Sequence, residues 1–159
     1  MILATVGTQL PFPRLLRALD RIARTHGLTV IAQTCQNEPD LTHIEQRPFV
    51  APAEFDRLAQ SAHVIVGHAG IGTIIGADRV SRPLILFPRK ASLGEHRNEH
   101  QLATASSMEA REGIHVAWDE ERLETLLTGA PLAPLQRGDS PTRPALIAEI
   151  TRFVQDSVR

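Results

Sequence analysis

Residues 61–89 read SAHVIVGHAGIGTIIGADRVSRPLILFPR, and this stretch decides the fold. The apolar run Val64–Val66 has strand length and stops abruptly at Gly67-His68-Ala69-Gly70-Ile71-Gly72-Thr73. A helix-length segment, Gly72 to Val80, follows, and a second apolar run, Leu84 to Phe87, begins after Pro83. Strand, glycine loop, helix and strand make a βαβ unit, the building block of parallel sheets. A loop that only turns the chain needs one or two glycines; this one holds three, with a histidine and a threonine among them.

Working outward, the same alternation recurs. Ile2–Val6 reads as a strand, and Leu15, Leu16, Leu19 and Ile22 then recur at helical spacing up to Gly27, a helix stop. Leu28–Ala32 is a second strand. The stretch Ile44–Val50 suits only a short edge strand, because Pro48 removes a ladder donor. Pro52 opens a short helix carrying Phe55, Leu58 and Ala59, and His63–Val66 is the next strand. Downstream, the pattern predicts a helix over Glu95–Ala110, a strand over His115–Trp118 and a helix capped by Asp119 running through Leu127. Residues 129–144 hold four of the eleven prolines and read as a linker or wrap-around arm. Ala145–Val154 returns to helical period, with Leu146, Ile150, Phe153 and Val154 on one stripe. The domain plan is therefore a body over 1–128, an arm over 129–144 and an amphipathic helix within 145–159.

Such alternation implies right-handed crossovers and a parallel sheet covered by helices on both faces. Ligands of these sheets bind at the carboxyl ends of the strands. Three loops fall there, Gly7-Thr8-Gln9, Gly67–Thr73 and Pro88–Arg97, and they are expected to face one cleft.

Bulk properties exclude several function classes. A chain of 159 residues supports about one core. A net charge of −1 offers no basic field for nucleic acid or an anionic membrane. The single cysteine, Cys35, forms no internal disulfide, which fits a reducing cytoplasm. The opening residues show no signal peptide, and no apolar stretch approaches the roughly 18 residues of a membrane span.

The glycine loop has a chemical reading. A loop leading into a helix near Gly72 and Thr73 presents unpaired N–H groups and the positive end of the helix dipole, a ready anion site. Glycines let amides approach a phosphate, Thr73 adds a hydroxyl and His68 a ring N–H. The spacing is neither that of a P-loop nor that of a dinucleotide fingerprint. A tight strand–helix junction with glycines for packing accounts for the local spacing equally well.

The wider pattern is more specific. His68-Ala69-Gly70-Ile71-Gly72-Thr73, then Arg82-Pro83-Leu84-Ile85-Leu86-Phe87-Pro88-Arg89, then Gly94-Glu95-His96-Arg97-Asn98-Glu99-His100-Gln101 together resemble the C-terminal domain of glycosyltransferase family 28. Within that family the likeness is to small one-domain subunits of two-part glycosyltransferases, whose start Thr5-Val6-Gly7-Thr8-Gln9 also resembles. The resemblance runs over roughly residues 1–128. It implies a Rossmann-like α/β domain, the nucleotide-sugar-binding half of a GT-B glycosyltransferase. It further implies a UDP-sugar donor, a lipid-linked glycan acceptor as in exopolysaccharide synthesis, and a membrane-associated partner subunit that supplies the acceptor half. The chain would then lie at the inner face of the membrane through that partner, with no cofactor.

Carried onto this sequence, the resemblance gives the diphosphate to His68, Ala69, Gly70, Gly72 and Thr73, with Gly7, Thr8 and Gln9 beside it. Gln101 and Glu95 would meet sugar hydroxyls, and His68 would stabilise the leaving group. Arg89 and Lys90 read as solvated loop cations or as contacts for a phosphate or a carboxylated sugar; with the exopolysaccharide likeness they would favour glucuronate or glucose over N-acetylglucosamine. One position departs from the family, which commonly has a ribose-binding glutamate seven residues before the proline that is Pro83 here; this chain has Gly76.

Two rival readings use the same residues. His96, Glu99 and His100 follow the H-x-x-E-H order of a zinc protease helix. A non-catalytic nucleotide-sugar-binding module would need the same glycine loop and no transfer chemistry.

Overall fold

The computed structural model describes residues 1–136. Six strands, β1 (Ile2–Thr5), β2 (Val30–Gln33), β3 (Glu45–Arg47), β4 (Val64–Gly67), β5 (Leu84–Leu86) and β6 (Ile114–Val116), form one sheet. The helices are α1 (Pro13–His26), α2 (Pro52–Ser61), α3 (Ile71–Val80), α4 (His100–Met108) and α5 (Glu120–Thr128). Every strand pair is parallel, and the order is β3-β2-β1-β4-β5-β6. The chain thus builds outward in one direction from β1, then returns beside it with β4 and builds the other way. That reversal opens a crevice at the carboxyl ends of β1 and β4, the usual ligand position in doubly wound sheets.

Local signals explain most boundaries. Pro13 and Pro52 start α1 and α2, where a missing N–H costs nothing. Gly27, at φ +65°, ends α1 by donating its N–H to the Ala23 carbonyl. The Asp119 side chain accepts from Arg122 N at 2.7 Å and caps α5. The central strands bury both faces, as parallel sheets require. Alternation sends Ile2 and Ala4 into a core built with Leu15, Leu16, Leu19 and Leu123, and sends Leu3 into a core with Ala59, Ile74 and Ala105. Helices α1 and α5 therefore cover one face, and α2, α3 and α4 the other.

Two segments differ from expectation. The helix expected from Glu95 begins only at His100, after a 3₁₀ turn at Ala91–Leu93 and an irregular stretch. The carboxylates of Glu95 and Glu99 accept the amides of Lys90, Ala91 and Ser92, so these side chains organise a loop instead of a helical first turn. The arm after α5 starts out packed on the body. Leu132 lies against the α1/α5 core, and Leu135, only 1% exposed, enters the opposite one, so the chain wraps around the β6 edge. There the Leu135 backbone passes so near Gly113 (φ +84°) that a Cβ on the glycine would lie 2.5 Å from Leu135 Cα. The rest of the arm and the amphipathic C-terminal helix lie outside the described residues.

Candidate functional site

The β1/β4 crevice holds a cavity of about 580 Å³. Of the expected residues, Gly7, Thr8, Gln9, His68, Gly72, Thr73, Arg89 and Gln101 line it, so the three loops do converge. Ala69, Gly70 and Glu95 do not line it.

The cavity's anion-seeking end is the start of α3. Gly70 is its N-cap, and no side chain caps it. The Gly70 carbonyl accepts the amides of Thr73 and Ile74, while the amides of Ile71 and Gly72 make no hydrogen bond in the described residues, as the first turn of a helix dictates. The Thr73 side chain stands at the same turn and is buried. Opposite, the Gly7 amide is already committed to Thr5 Oγ1 at 3.1 Å, so the β1–α1 loop offers its exposed residues Thr8 and Gln9 instead.

His68 is held between glycines. A Cβ on Gly70 would lie 2.9 Å from His68 Cδ2 and closer still to Nε2; one on Gly7 would lie 3.0 Å from Cε1. Burial, then the neighbouring Arg89 guanidinium, push the imidazole pKa down to about 4, with the Thr5 backbone opposing. The ring is therefore neutral at physiological pH. No group closes a hydrogen bond of normal geometry on its buried Nδ1. A neutral imidazole carries one N–H, so it can donate one hydrogen bond into the cavity without bringing a charge.

Arg89 is 2% exposed and serves the loop. Its Nη1 donates to the Pro11 carbonyl at 2.8 Å, and its Nη2 to Val6 at 3.0 Å and Leu10 at 2.7 Å. Its guanidinium lies 4.3 Å from the Phe12 ring centroid. Sequence reading offered Arg89 to a phosphate or a sugar carboxylate. In the structure both terminal nitrogens donate to loop carbonyls, so Arg89 shapes the β1–α1 loop and sets a buried positive charge beneath it. The Arg89 amide in turn donates to Gln101 Oε1 at 3.1 Å, which fixes that side chain at 4% exposure on the cavity wall.

Glu95 is also tied down. Arg14 grips its carboxylate with Nε at 2.6 Å and Nη2 at 2.8 Å, and the Lys90 amide adds a third bond at 2.9 Å. Burial pushes this carboxyl up, but the Arg14 and Lys90 hydrogen bonds and the charges of Arg14 and Arg89 outweigh it and hold the pKa below the ordinary range. With its oxygens engaged and no place on the cavity wall, Glu95 braces the β5–α4 loop.

The zinc reading loses its ligands. His96 and His100 do touch, with ring centroids 4.5 Å apart. Glu99, however, gives its carboxylate to the Ala91 and Ser92 amides, His96 precedes the helix, and no group of three metal-ligating side chains forms among the described residues.

Several lining residues were not anticipated. Thr5 and Gln33, paired in register at the carboxyl ends of β1 and β2, are joined by a 3.2 Å hydrogen bond. Polar residues closing the apolar strands ILAT and VIAQ are a signal that marks strand ends at a cleft. Val50, Phe55 and Asp56 come from the β3–α2 loop and α2, and Ile75 and Arg79, flanking Gly76 where the sequence departs from the ribose glutamate, from the facing side of α3.

Comparison with known proteins supplies the family. Residues 1–131 match the glycosyltransferase family 28 C-terminal domain. The chain belongs to that family. A search of curated proteins returned no match. Among solved structures, the solution structure of ALG13 aligns at TM-score 0.62 and 15% identity, covering 91% of this chain and 94% of that one. MurG of Acinetobacter baumannii aligns at TM-score 0.60 and 18% identity, over 80% of this chain and 40% of MurG. The UDP-GlcNAc 2-epimerase of Methanocaldococcus jannaschii, solved with UDP-GlcNAc and UDP, aligns at TM-score 0.57 and 13% identity, over 95% of this chain and 45% of the epimerase. These likenesses establish the fold as that of a GT-B half. This family 28 domain spans less than half the length of the last two. Among its described residues, no helix is long and apolar enough to cross a membrane.

Proposed function

We propose that this family 28 domain is the donor-binding subunit of a two-component glycosyltransferase, moving a hexose or hexuronic acid from a UDP-sugar to a lipid-linked glycan held by a membrane-associated partner, in exopolysaccharide synthesis. The observation that carries the reading is the uncapped start of α3, with the unbonded amides of Ile71 and Gly72 and the Thr73 hydroxyl, opening on the cavity where β1 and β4 diverge. A diphosphate takes those donors and the helix dipole. Neutral His68 donates a hydrogen bond to the departing UDP, where negative charge grows as the glycosidic bond breaks. Gln101 meets sugar hydroxyls. The general base that deprotonates the acceptor, giving inversion, belongs to the partner. Because α3 and the buried Arg89 charge face the diphosphate, transfer is expected to persist in EDTA.

The partner reading draws support from the surface. All five exposed large hydrophobics among the described residues, Leu10, Phe49, Ile71, Ile75 and Leu93, sit on the loops and the α3 start at this same edge. Exposed apolar side chains gathered at one edge mark an interaction face. The test is calorimetry with UDP on the wild type and Thr73→Ala, followed by transfer assays with lipid-linked acceptor, with and without membranes containing the partner. The expected result is UDP binding weakened at least about tenfold in Thr73→Ala, and transfer only when the partner is present. Equal UDP affinity in both proteins would remove the site; binding without transfer under every combination would favour the non-catalytic module.

A further inference from the structure

The cavity wall contains one carboxylate, and it lies away from the α3 start. Among the described lining residues, Asp56 alone is acidic. It sits on the second turn of α2, its side chain 40% exposed, and its Oδ2 meets Arg79 Nη2 at 3.4 Å. That is long for a charge-assisted hydrogen bond, which closes to about 2.7–2.9 Å. Neighbouring acids are more firmly occupied: Glu95 by Arg14 and the Lys90 amide, Glu99 by two amides, and Glu54 by Arg47. Asp56 therefore keeps acceptor capacity at the cavity.

Across from it, α3 is bare. A Cβ on Gly72 would meet nothing within 4 Å, and one on Gly76 would meet only Phe55 Cε1, at 3.9 Å. Gly76, inside the helix, costs about 1 kcal/mol relative to alanine. No atom of the described residues requires these two, so the space they leave serves something else. They lie one turn apart, about 6 Å along the axis. A group anchored at the α3 start and extending along the helix would slide over exposed backbone from Gly72 to Gly76. It would meet the Phe55 ring and the Asp56 carboxylate on the other wall. That group needs a flat, partly apolar body and hydroxyl donors.

We propose that Asp56 reads the ribose diol of the nucleotide donor, with the sugar ring packed against the Gly72–Gly76 backbone. This rests on the donor-site reading above. A vicinal diol presents two O–H donors, and a carboxylate presents two acceptor oxygens at matching separation. The arrangement answers the departure at Gly76: the acceptor comes from α2, across the cleft, and α3 supplies the room.

The test compares UDP with 2′-deoxy-UDP by calorimetry on the wild type, Asp56→Asn and Thr73→Ala, each checked for an unchanged melting transition. The wild type is expected to prefer UDP by roughly tenfold, since a hydrogen bond to a charged group is worth about that factor or more. Asp56→Asn should lower UDP affinity until the two ligands bind alike, leaving 2′-deoxy-UDP nearly unaffected. Thr73→Ala should weaken both ligands together and keep their ratio. If Asp56→Asn retains the wild-type ratio, or the wild type never discriminates, the inference is overturned while the donor site stands. If UDP does not bind the wild type at all, the donor site falls and this inference with it.

Discussion

Two groups of glycines lie in and around the loops that build the cavity, and they face opposite surroundings. Gly7, Gly67 and Gly70 are crowded by the protein's own atoms: the first and last by the His68 ring, and Gly67 by Thr73 Cγ2, 2.7 Å from where its Cβ would be. Gly72 and Gly76 look onto open space. The crowded glycines let the site's side chains stand where they do. The open ones keep the site's floor free for a ligand. A glycine-rich motif is thus two devices in one, and substitution separates them, because the first group fails by collision and the second by obstruction.

The largest effect is expected from collision. In Gly70→Ala the new methyl would overlap His68, which must swing out into the cavity. Overpacking of this kind costs about 1–3 kcal/mol, and the upper part of that range applies because the ring is buried and wedged against Gly7 as well. Chemical denaturation should show the loss, and calorimetry should show UDP binding abolished. A Gly70→Ala protein that kept wild-type stability and affinity would mean that the ring has room elsewhere, breaking the distinction between the two groups.

A second effect comes from holding His68 neutral in that clamp. Its folded pKa of about 4 lies below the ordinary 6.5, so between those values the unfolded chain binds the proton and the folded one does not. The stability tied to the neutral ring is present above pH 6.5 and is lost as the pH falls towards 4, amounting to about 3 kcal/mol. His63 and His115 are also lowered, chiefly by burial, and steepen the same limb. The contribution of His68 is therefore the difference between wild type and His68→Gln in denaturant midpoints measured from pH 7 to pH 4. Parallel curves would show that the clamp does not set the protonation of the ring.

How far these features could be read from sequence follows the range of the interactions involved. The strands, the parallel alternation and the convergence of three loops were legible because each rests on local period and on the rule that places loops in a parallel sheet. The start of α4 was not. Glu95 belongs to a run of good helix formers, and only Arg14, 81 residues away, reveals that its carboxylate is spent on a loop. Arg89 looked like a solvated loop cation and is buried, because its partners are carbonyls of Val6, Leu10 and Pro11, which no local pattern connects to it. Thr5 and Gln33 carried a readable signal as polar ends of apolar strands. Asp56 carried none: on α2 it is an ordinary surface acid until α3 packs beside it and the cavity opens between them.

The smallest effect in free energy is the one that sharpens the comparison most. Gly76 sits in the interior of α3, where alanine is favoured by up to about 1 kcal/mol, and among the described residues a methyl there would find Phe55 Cε1, at 3.9 Å, as its nearest neighbour outside the helix backbone. Gly76→Ala should therefore raise the denaturation midpoint, by a fraction of a kcal/mol to about 1 kcal/mol. The same methyl would stand on the cavity floor, so UDP affinity should fall by several-fold, roughly what a misplaced ring losing one good hydrogen bond would cost. Stability and binding move in opposite directions only if the space at Gly76 belongs to a ligand. A more stable Gly76→Ala protein with unchanged UDP affinity would place the nucleotide elsewhere in the cavity and leave the bare face of α3 without a tenant. A less stable one would mean that α3 needs its glycine for reasons internal to the fold, and the two groups of glycines would then be one.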